Sequence, residues 1–428
     1  MKKIFLILIL LAFSNLNAQE NLQFYLKKAL ENNLVLNAER QKLKSAEQSK
    51  NISRSEFLPS ITISGEQNST TSTNRTNQSG SSLSDSNSDS EKKTISLEQK
   101  IFSGFKGVNT FKKSELEIQK ASLKLKQTEQ QTIINTASAY FDYIFKFKNE
   151  RFNKSNLDLF DRQVEFDSAR LQKGEITLTD LAQSESSLAG ANANLIKAKT
   201  ELLSSKTNFQ RVTGEKLLNE EVLVDKFFII LPSSLKASLE IANLKNLELI
   251  IAKLDYEIAV KDLSIEKSRL SPSASINISK SENSDFSSSI DEKDDETVKA
   301  TITWPIIKGG ENISSIKKST YEKQRAQLLL QDTKNKILTE TSNAWSKYQS
   351  FKGVLEATKS QLKAAEIANE GITLEYDSGN TRTTLEVIQS RSLLLEAKIA
   401  FAKAERDFVV SQFELAKQIG NLSLKSLK

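Results

Sequence analysis

The chain has no cysteine and no histidine. Those absences exclude disulfide staples, thiol nucleophiles, imidazole bases and the usual zinc ligands, and leave no thiol to carry a lipid. A catalyst would have to rely on clustered carboxylates or a serine-lysine pair, and no such constellation stands out from the charged helix faces. An enzyme is therefore not expected, nor is a cofactor or a metal. Proline is scarce: Pro59, Pro232, Pro272 and Pro305 are all there is in 428 residues. Beyond the first residues no apolar run approaches the roughly 20 that a membrane helix needs, so any membrane span has to be made of strands. Charge of a single sign is also missing. The 60 basic and 54 acidic residues are interspersed and leave a net charge of only +6, so no nucleic-acid footprint is expected.

At the N-terminus Met1-Lys2-Lys3 precedes an apolar run from Ile4 to Phe13 and a polar stretch ending at Ala18. The run is too short to cross a bilayer and reads as a secretory signal over residues 1–18, which makes the mature protein an exported one.

The rest of the chain is duplicated. Asn33-Leu34-Val35-Leu36, Ala46 and Leu58-Pro59-Ser60 are answered at one constant spacing by Asn246-Leu247-Glu248-Leu249, Ala259 and Ser271-Pro272-Ser273. Ile101-Phe102-Ser103-Gly104, Ala139-Tyr140, Tyr143 and Gly174 are answered at a second spacing by Ile306-Ile307-Lys308-Gly309, Ala344-Trp345, Tyr348 and Gly379. After a one-residue insertion beyond Gly379, two heptad stripes match. Leu181, Leu188, Leu195, Leu202 and Phe209 alternate with Ser184, Ala191, Ala198 and Ser205; Val387, Leu394, Phe401, Phe408 and Leu415 alternate with Ser390, Ala397, Ala404 and Ser411. Large and small residues alternating on a sustained heptad define a narrow coiled-coil seam on which helices approach closely.

Each copy reads as helix, strand, loop, strand, long helix, turn, helix. The first repeat is expected over 19–225, with a helix from about Leu22 to Phe57, strands near 60–68 and 94–103 and a helical hairpin over 107–214. A linker at 226–234 leads to the second repeat over 235–420, with strands near 273–280 and 297–306 and a hairpin over 311–420; a tail follows at 421–428. The strands alternate with period two, most clearly Val298, Ala300, Ile302 and Trp304 against Lys299, Thr301 and Thr303. That pattern suits a soluble hairpin or a membrane strand; the strand length favours the membrane, with Trp304 near one interface. The stretches Ser69 to Ser90 and Ser281 to Glu296 are polar enough to be solvated loops. From Gly107 to Lys173 there is no proline and no internal glycine, which predicts a helix on the order of 100 Å long.

Taken in order, Ala29-Leu30-Glu31-Asn32-Asn33, Leu58-Pro59-Ser60, Trp304-Pro305-Ile306-Ile307-Lys308-Gly309-Gly310 and a turn glycine followed by Glu386-Val387 resemble the TolC-like outer-membrane efflux proteins. The resemblance spans nearly the whole mature chain. It implies a mainly α fold with a membrane β-barrel part: three copies, each giving four strands to one twelve-stranded barrel above a long α-helical coiled-coil tunnel. It also implies a passive exit duct of an efflux pump or type I secretion system in the outer membrane of a Gram-negative cell. Its partners would be a periplasmic adaptor and, through it, an inner-membrane transporter.

In that family the functional positions lie at the hairpin tips. The resemblance assigns adaptor contact to Gly174, Glu175, Ile176, Thr177, Gly379, Asn380 and Thr381. It assigns links that hold the closed end to Asp180, Tyr376 and Arg382, and a constriction to Glu386 and Gln389, where glutamine replaces a second acid. An alternative for Asp180 and Glu386 is plain capping of the helices that follow the turns. Arg382 is open to a second reading as a solvated turn residue. A periplasmic adaptor would show one hairpin between halves of a glycine-rich β-domain, and a structural coiled coil would show one unbroken heptad array.

Overall fold

The computed structural model describes residues 22–215, 229–287, 290–378 and 382–426. The expected signal segment, the first part of the linker, and Gly379, Asn380 and Thr381 lie outside them. The elements run α1 (Leu22–Asn32), α2 (Leu34–Ser55), β1 (Ser60–Ser72), β2 (Arg75–Thr76), β3 (Ser82–Leu83), β4 (Ser86–Ser103), α3 (Lys106–Gln172) and α4 (Leu178–Thr213). The second half follows as α5 (Leu235–Lys245), α6 (Leu247–Lys267), β5 (Ser273–Ser287), β6 (Ile290–Thr303), α7 (Glu311–Asp377) and α8 (Thr384–Gln418). The long helices α3 and α7 have 67 residues each; α3 follows from its lack of breakers, whereas α7 runs as far although it contains Gly353 and Gly371.

The opening helix of each copy is in two pieces rather than one. The Asn33 side chain accepts from the Leu36 N–H at 2.9 Å, and the Asn246 side chain accepts from the N–H groups of Glu248 at 2.9 Å and Leu249 at 3.2 Å. Each asparagine thereby caps a fresh helix start, and a side chain that competes with the backbone ladder in this way ends the helix before it.

Contacts divide the chain into two compact units, one of Met1–Arg40, Lys124–Ile250 and Thr333–Lys428, the other of Gln41–Leu123 and Ile251–Asp332. Both draw on the two sequence repeats, so neither unit is a repeat. The second unit holds an antiparallel sheet in the order β1-β4-β5-β6. Ile61, Leu97, Ile278 and Val298 lie side by side across it, and the adjacent row is Thr62, Ser96, Ser279 and Thr297. One face is thus apolar and the other hydroxyl-rich. Val298 and Ile302 on the apolar face are 75% and 78% exposed in the single chain, an arrangement that asks for lipid rather than water. The Trp304 indole, just past β6, donates to the Leu270 carbonyl at 3.0 Å.

The strands are longer than their apolar alternation. β1 pairs with β4 out to Ser72 and Ser86, and β5 with β6 out to Ser287 and Ile290, so much of the two expected loops is ladder. Backbone pairing satisfies N–H and C=O groups whatever the side chains are, and polarity alone does not end it.

In the first unit the small residues of the heptad seam are buried. Ser184, Ala191, Ala198 and Ser205 on α4, and Ser390, Ala397, Ala404 and Ser411 on α8, are all buried. At one end of the seam Tyr25 of α1 and Phe209 of α4 meet edge to face at 4.9 Å, with Tyr140 of α3 6.1 Å from Tyr25. Phe413 and Leu422 close the same core.

Candidate functional site

Both helical hairpins turn within the first unit, and the turns are built by local rules. At the end of α3, Gly174 has φ +74, its N–H donates to Leu171 O, and the Glu175 N–H reaches back to Arg170 O, both at 2.9 Å. This paired closure satisfies the last carbonyls of the helix and requires the left-handed conformation that glycine adopts without strain. Thr177 then starts α4 with a reciprocal cap. Its hydroxyl accepts from the Asp180 N–H, and its own N–H donates to the Asp180 carboxylate at 2.9 Å. That backbone hydrogen bond holds the Asp180 carboxyl below its usual range. Glu175 pairs with Arg170 at 3.2 Å, while Leu178 stands 71% exposed beside Ile176.

The helix start after the second turn repeats the cap. Thr383 caps α8, donating its N–H to Glu386 at 2.8 Å and accepting the Glu386 N–H on its hydroxyl at 3.2 Å. Arg382 is no free turn residue: it sits between Glu375 of α7 at 2.6 Å and Glu386 of α8 at 2.9 Å. The bond from the Thr383 N–H, followed by the pairing with Arg382, depresses the Glu386 pKa, and the two carboxylates raise that of Arg382. Glu386 and Gln389 line one groove of about 550 Å³ between α7 and α8, floored by Ala364, Ala365 and Ala368.

Deeper in the tips lies a polar cluster centred on Asp167, which is 0% exposed. The Tyr376 hydroxyl donates to its Oδ1 at 2.9 Å, the Ser184 hydroxyl donates to Oδ2, and the Gln163 amide lies 3.0 Å from each oxygen. Thr384 meets the Tyr376 oxygen at 3.1 Å. Arg391 donates to the Gln163 Oε1 at 3.1 Å, and the Arg170 guanidinium lies over the Tyr376 ring, 5.1 Å from its centre. Burial raises the pKa of the Tyr376 phenol, which keeps it a donor, and burial lowers that of Arg391. A carboxylate so enclosed is tolerable only because its lone pairs are taken up. Its donors come from α3, α4 and α7, with α8 joined through Thr384 and Arg391.

Of the residues that the family resemblance names, Tyr376 lies in this cluster, whereas Asp180 is occupied in its cap and Arg382 within its own hairpin. Asp167, Gln163, Ser184, Thr384 and Arg391 form a network that reading the sequence for turns did not single out. One signal was present: Ser184 and Ser390 break an alanine stripe with a hydroxyl, and a buried hydroxyl needs a partner.

The sequence matches the Outer membrane efflux protein family over residues 25–215 and 244–421. The chain belongs to that family. It is 26% identical to the outer membrane efflux protein BepC of Brucella suis over 95% of this chain and 87% of that one. It is 24% identical to the outer membrane protein TolC of Escherichia coli over 100% and 88%. Among solved structures, the CmeC outer membrane channel of Campylobacter jejuni superposes with a TM-score of 0.81 at 17% identity, covering 94% of this chain and 86% of that one. Like other members of the family, the protein is an outer-membrane efflux channel, with a helical tunnel and a barrel part.

Proposed function

We propose that three copies of this chain close one barrel, that the duct is shut at the hairpin tips described above, and that a periplasmic adaptor opens it on behalf of an inner-membrane transporter. The observation that carries this reading is the pair of tip turns, each a capped helix start presenting exposed residues. Glu175, Ile176 and Thr177 form the described part of the adaptor surface; Gly379, Asn380 and Thr381 complete it in the second turn. Tyr376 and Arg382 hold the tips in their closed arrangement, the first across hairpins and the second within one. Threefold repetition of Glu386 places a ring of carboxylates in the path, and Gln389 adds polarity without charge, which makes a single acidic ring that favours cations.

The sheet supports the trimer. Its apolar face needs lipid, and β1 and β6 are edge strands among the described residues. A membrane sheet with open edges is unstable until other strands close it. The test is direct: purify the full chain from outer membranes, determine its mass in detergent, and record conductance in planar bilayers. A trimer with small, cation-preferring conductance agrees with the proposal, and a monomer or a permanently open pore refutes it. A photo-crosslinker at Ile176 should capture a periplasmic adaptor in cells; capture of nothing but other copies of the chain would remove the adaptor assignment.

A further inference from the structure

We infer that Asp167, on α3, is the acid that latches the two hairpins of one protomer together, and that Gln163 and Arg391 belong to the same latch. The inference rests on the tip-gate reading above and assigns its acid to a residue other than Asp180. Three observations carry it. Asp167 is fully buried, and Tyr376, the tip tyrosine, donates to it from the opposite hairpin at 2.9 Å. Asp180 spends its carboxylate on the N–H and hydroxyl of Thr177, at 2.9 and 2.7 Å, within its own turn. A second bridge crosses between the hairpins at the same level, from Arg391 of α8 to the Gln163 Oε1 of α3 at 3.1 Å, and the Gln163 amide continues it to Asp167.

The chemistry makes the latch discrete. Among the described residues the direct donors to Asp167 are neutral: a phenol, a serine hydroxyl and a carboxamide. Its nearest cations act at one remove, Arg391 through Gln163 and Arg170 across the Tyr376 ring. Moving α7 and α8 away from α3 and α4 takes the phenol from the carboxylate and the guanidinium from the glutamine in the same motion. Either the α7–α8 hairpin is seated and the carboxylate has its phenol donor, or it is displaced and water must enter to replace that donor. An intermediate position leaves a buried charge short of donors, the costliest arrangement. The Ser184 bond lies inside the first hairpin and stays with Asp167 in both states, as does Gln163, so these two keep the acid aimed at the second hairpin.

The test uses the full-length protein in planar bilayers, with Asp167→Asn, Tyr376→Phe, their double variant and Asp180→Asn. Asparagine keeps the size of Asp167 but turns an amide toward donors, because Gln163 Nε2 is 3.0 Å from both oxygens. Loss of a hydrogen bond to a charged group is expected to raise the open-to-closed ratio about tenfold or more, for Asp167→Asn and Tyr376→Phe alike. The double variant should open hardly further than either single one, a non-additivity that general destabilisation does not produce. Mass in detergent and thermal melting show whether each variant assembles. Should Asp167→Asn fail to assemble, Tyr376→Phe, which removes one oxygen, carries the test. Opening by Asp180→Asn but not by Asp167→Asn would overturn the assignment and leave the tip gate standing. No change in any of the variants would overturn the gate reading with it.

Discussion

Replacing Gly420 with alanine should destabilise the protein far more than the same change at Gly174, although the two backbones are nearly alike. Their φ angles are +77 and +74, so each alanine meets the left-handed penalty of about 1–2 kcal/mol. The smaller entropy of the unfolded alanine chain offsets about 0.4–1 kcal/mol of that. At Gly174 nothing else opposes the new methyl, since no atom lies within 4 Å of it, and the net loss should be about 1 kcal/mol. At Gly420 the methyl would run into the Lys245 carbonyl, closest to its oxygen and 2.5 Å from its carbon. That backbone holds the end of α5, so it must retreat by about 1 Å or the C-terminal turn must, adding about 1–3 kcal/mol of overpacking. The turn it would displace carries Asn421, whose side chain accepts from Lys245, and Leu422, whose carbonyl accepts from Gln130 at 3.0 Å. Urea unfolding of each purified variant, followed by helical circular dichroism, measures the difference. Equal losses at the two sites, or a larger loss at Gly174, would refute the argument from close approach.

Phe209→Ala removes a ring with no exposure that packs on Tyr25, and should lower stability by about 3–5 kcal/mol, visible as a lower melting temperature. Val298→Lys, on the apolar face of β6 and well away from Trp304, should reduce outer-membrane assembly by a cost of about 2–4 kcal/mol; Thr301→Lys, on the other face, should assemble and shift ion selectivity away from cations, read as the reversal potential in a salt gradient. Asp180 and Glu386 both have folded pKa values below their usual ones. Their contribution to the two helix starts is therefore complete above the unfolded carboxylate value near about 4 and fades as pH falls through the folded values. Protection factors of the first-turn amides of α4 and α8, each rate taken relative to the unprotected rate at the same pH, should fall with acid in the wild type, and that fall should disappear in Asp180→Asn with Glu386→Gln.

The long helices, the paired hairpins and the sheet were legible because each follows from a repeating pattern: no breaker between Gly107 and Lys173, a heptad of large and small residues, and alternation in the strands. The turns were legible from Gly174, which a left-handed closure favours, and from Asp180 and Glu386, acids placed where a helix start takes them up. The breaks at Asn33 and Asn246 were not, since an asparagine inside a helical pattern becomes a cap only when its side chain turns back on the backbone. Strand extension past Asn68 and Lys280 escaped notice for the opposite reason, because ladder hydrogen bonds carry no side-chain signature. Asp167 was the hardest. It sits among Asp158, Asp161 and Glu165 on α3, and only its contact with Tyr376, far along the chain, distinguishes it from neighbours on a solvated face.

Duplicated chains often keep two versions of every device, but the Asp167 cluster has only one. At the matching positions of the other copy Asp167 becomes Ile372, Gln163 becomes Ala368, Tyr376 corresponds to Leu171 and Arg391 to Glu185. Only the serine persists: Ser390 bonds Asn369 at 3.1 Å within the second hairpin, where Ser184 bonds Asp167 in the first. The two halves are thus unlike at this point, one carrying the charge and the other the tyrosine. Neither half can stand in for the other here, and a chain rebuilt from two identical halves would lack the bond between Tyr376 and Asp167.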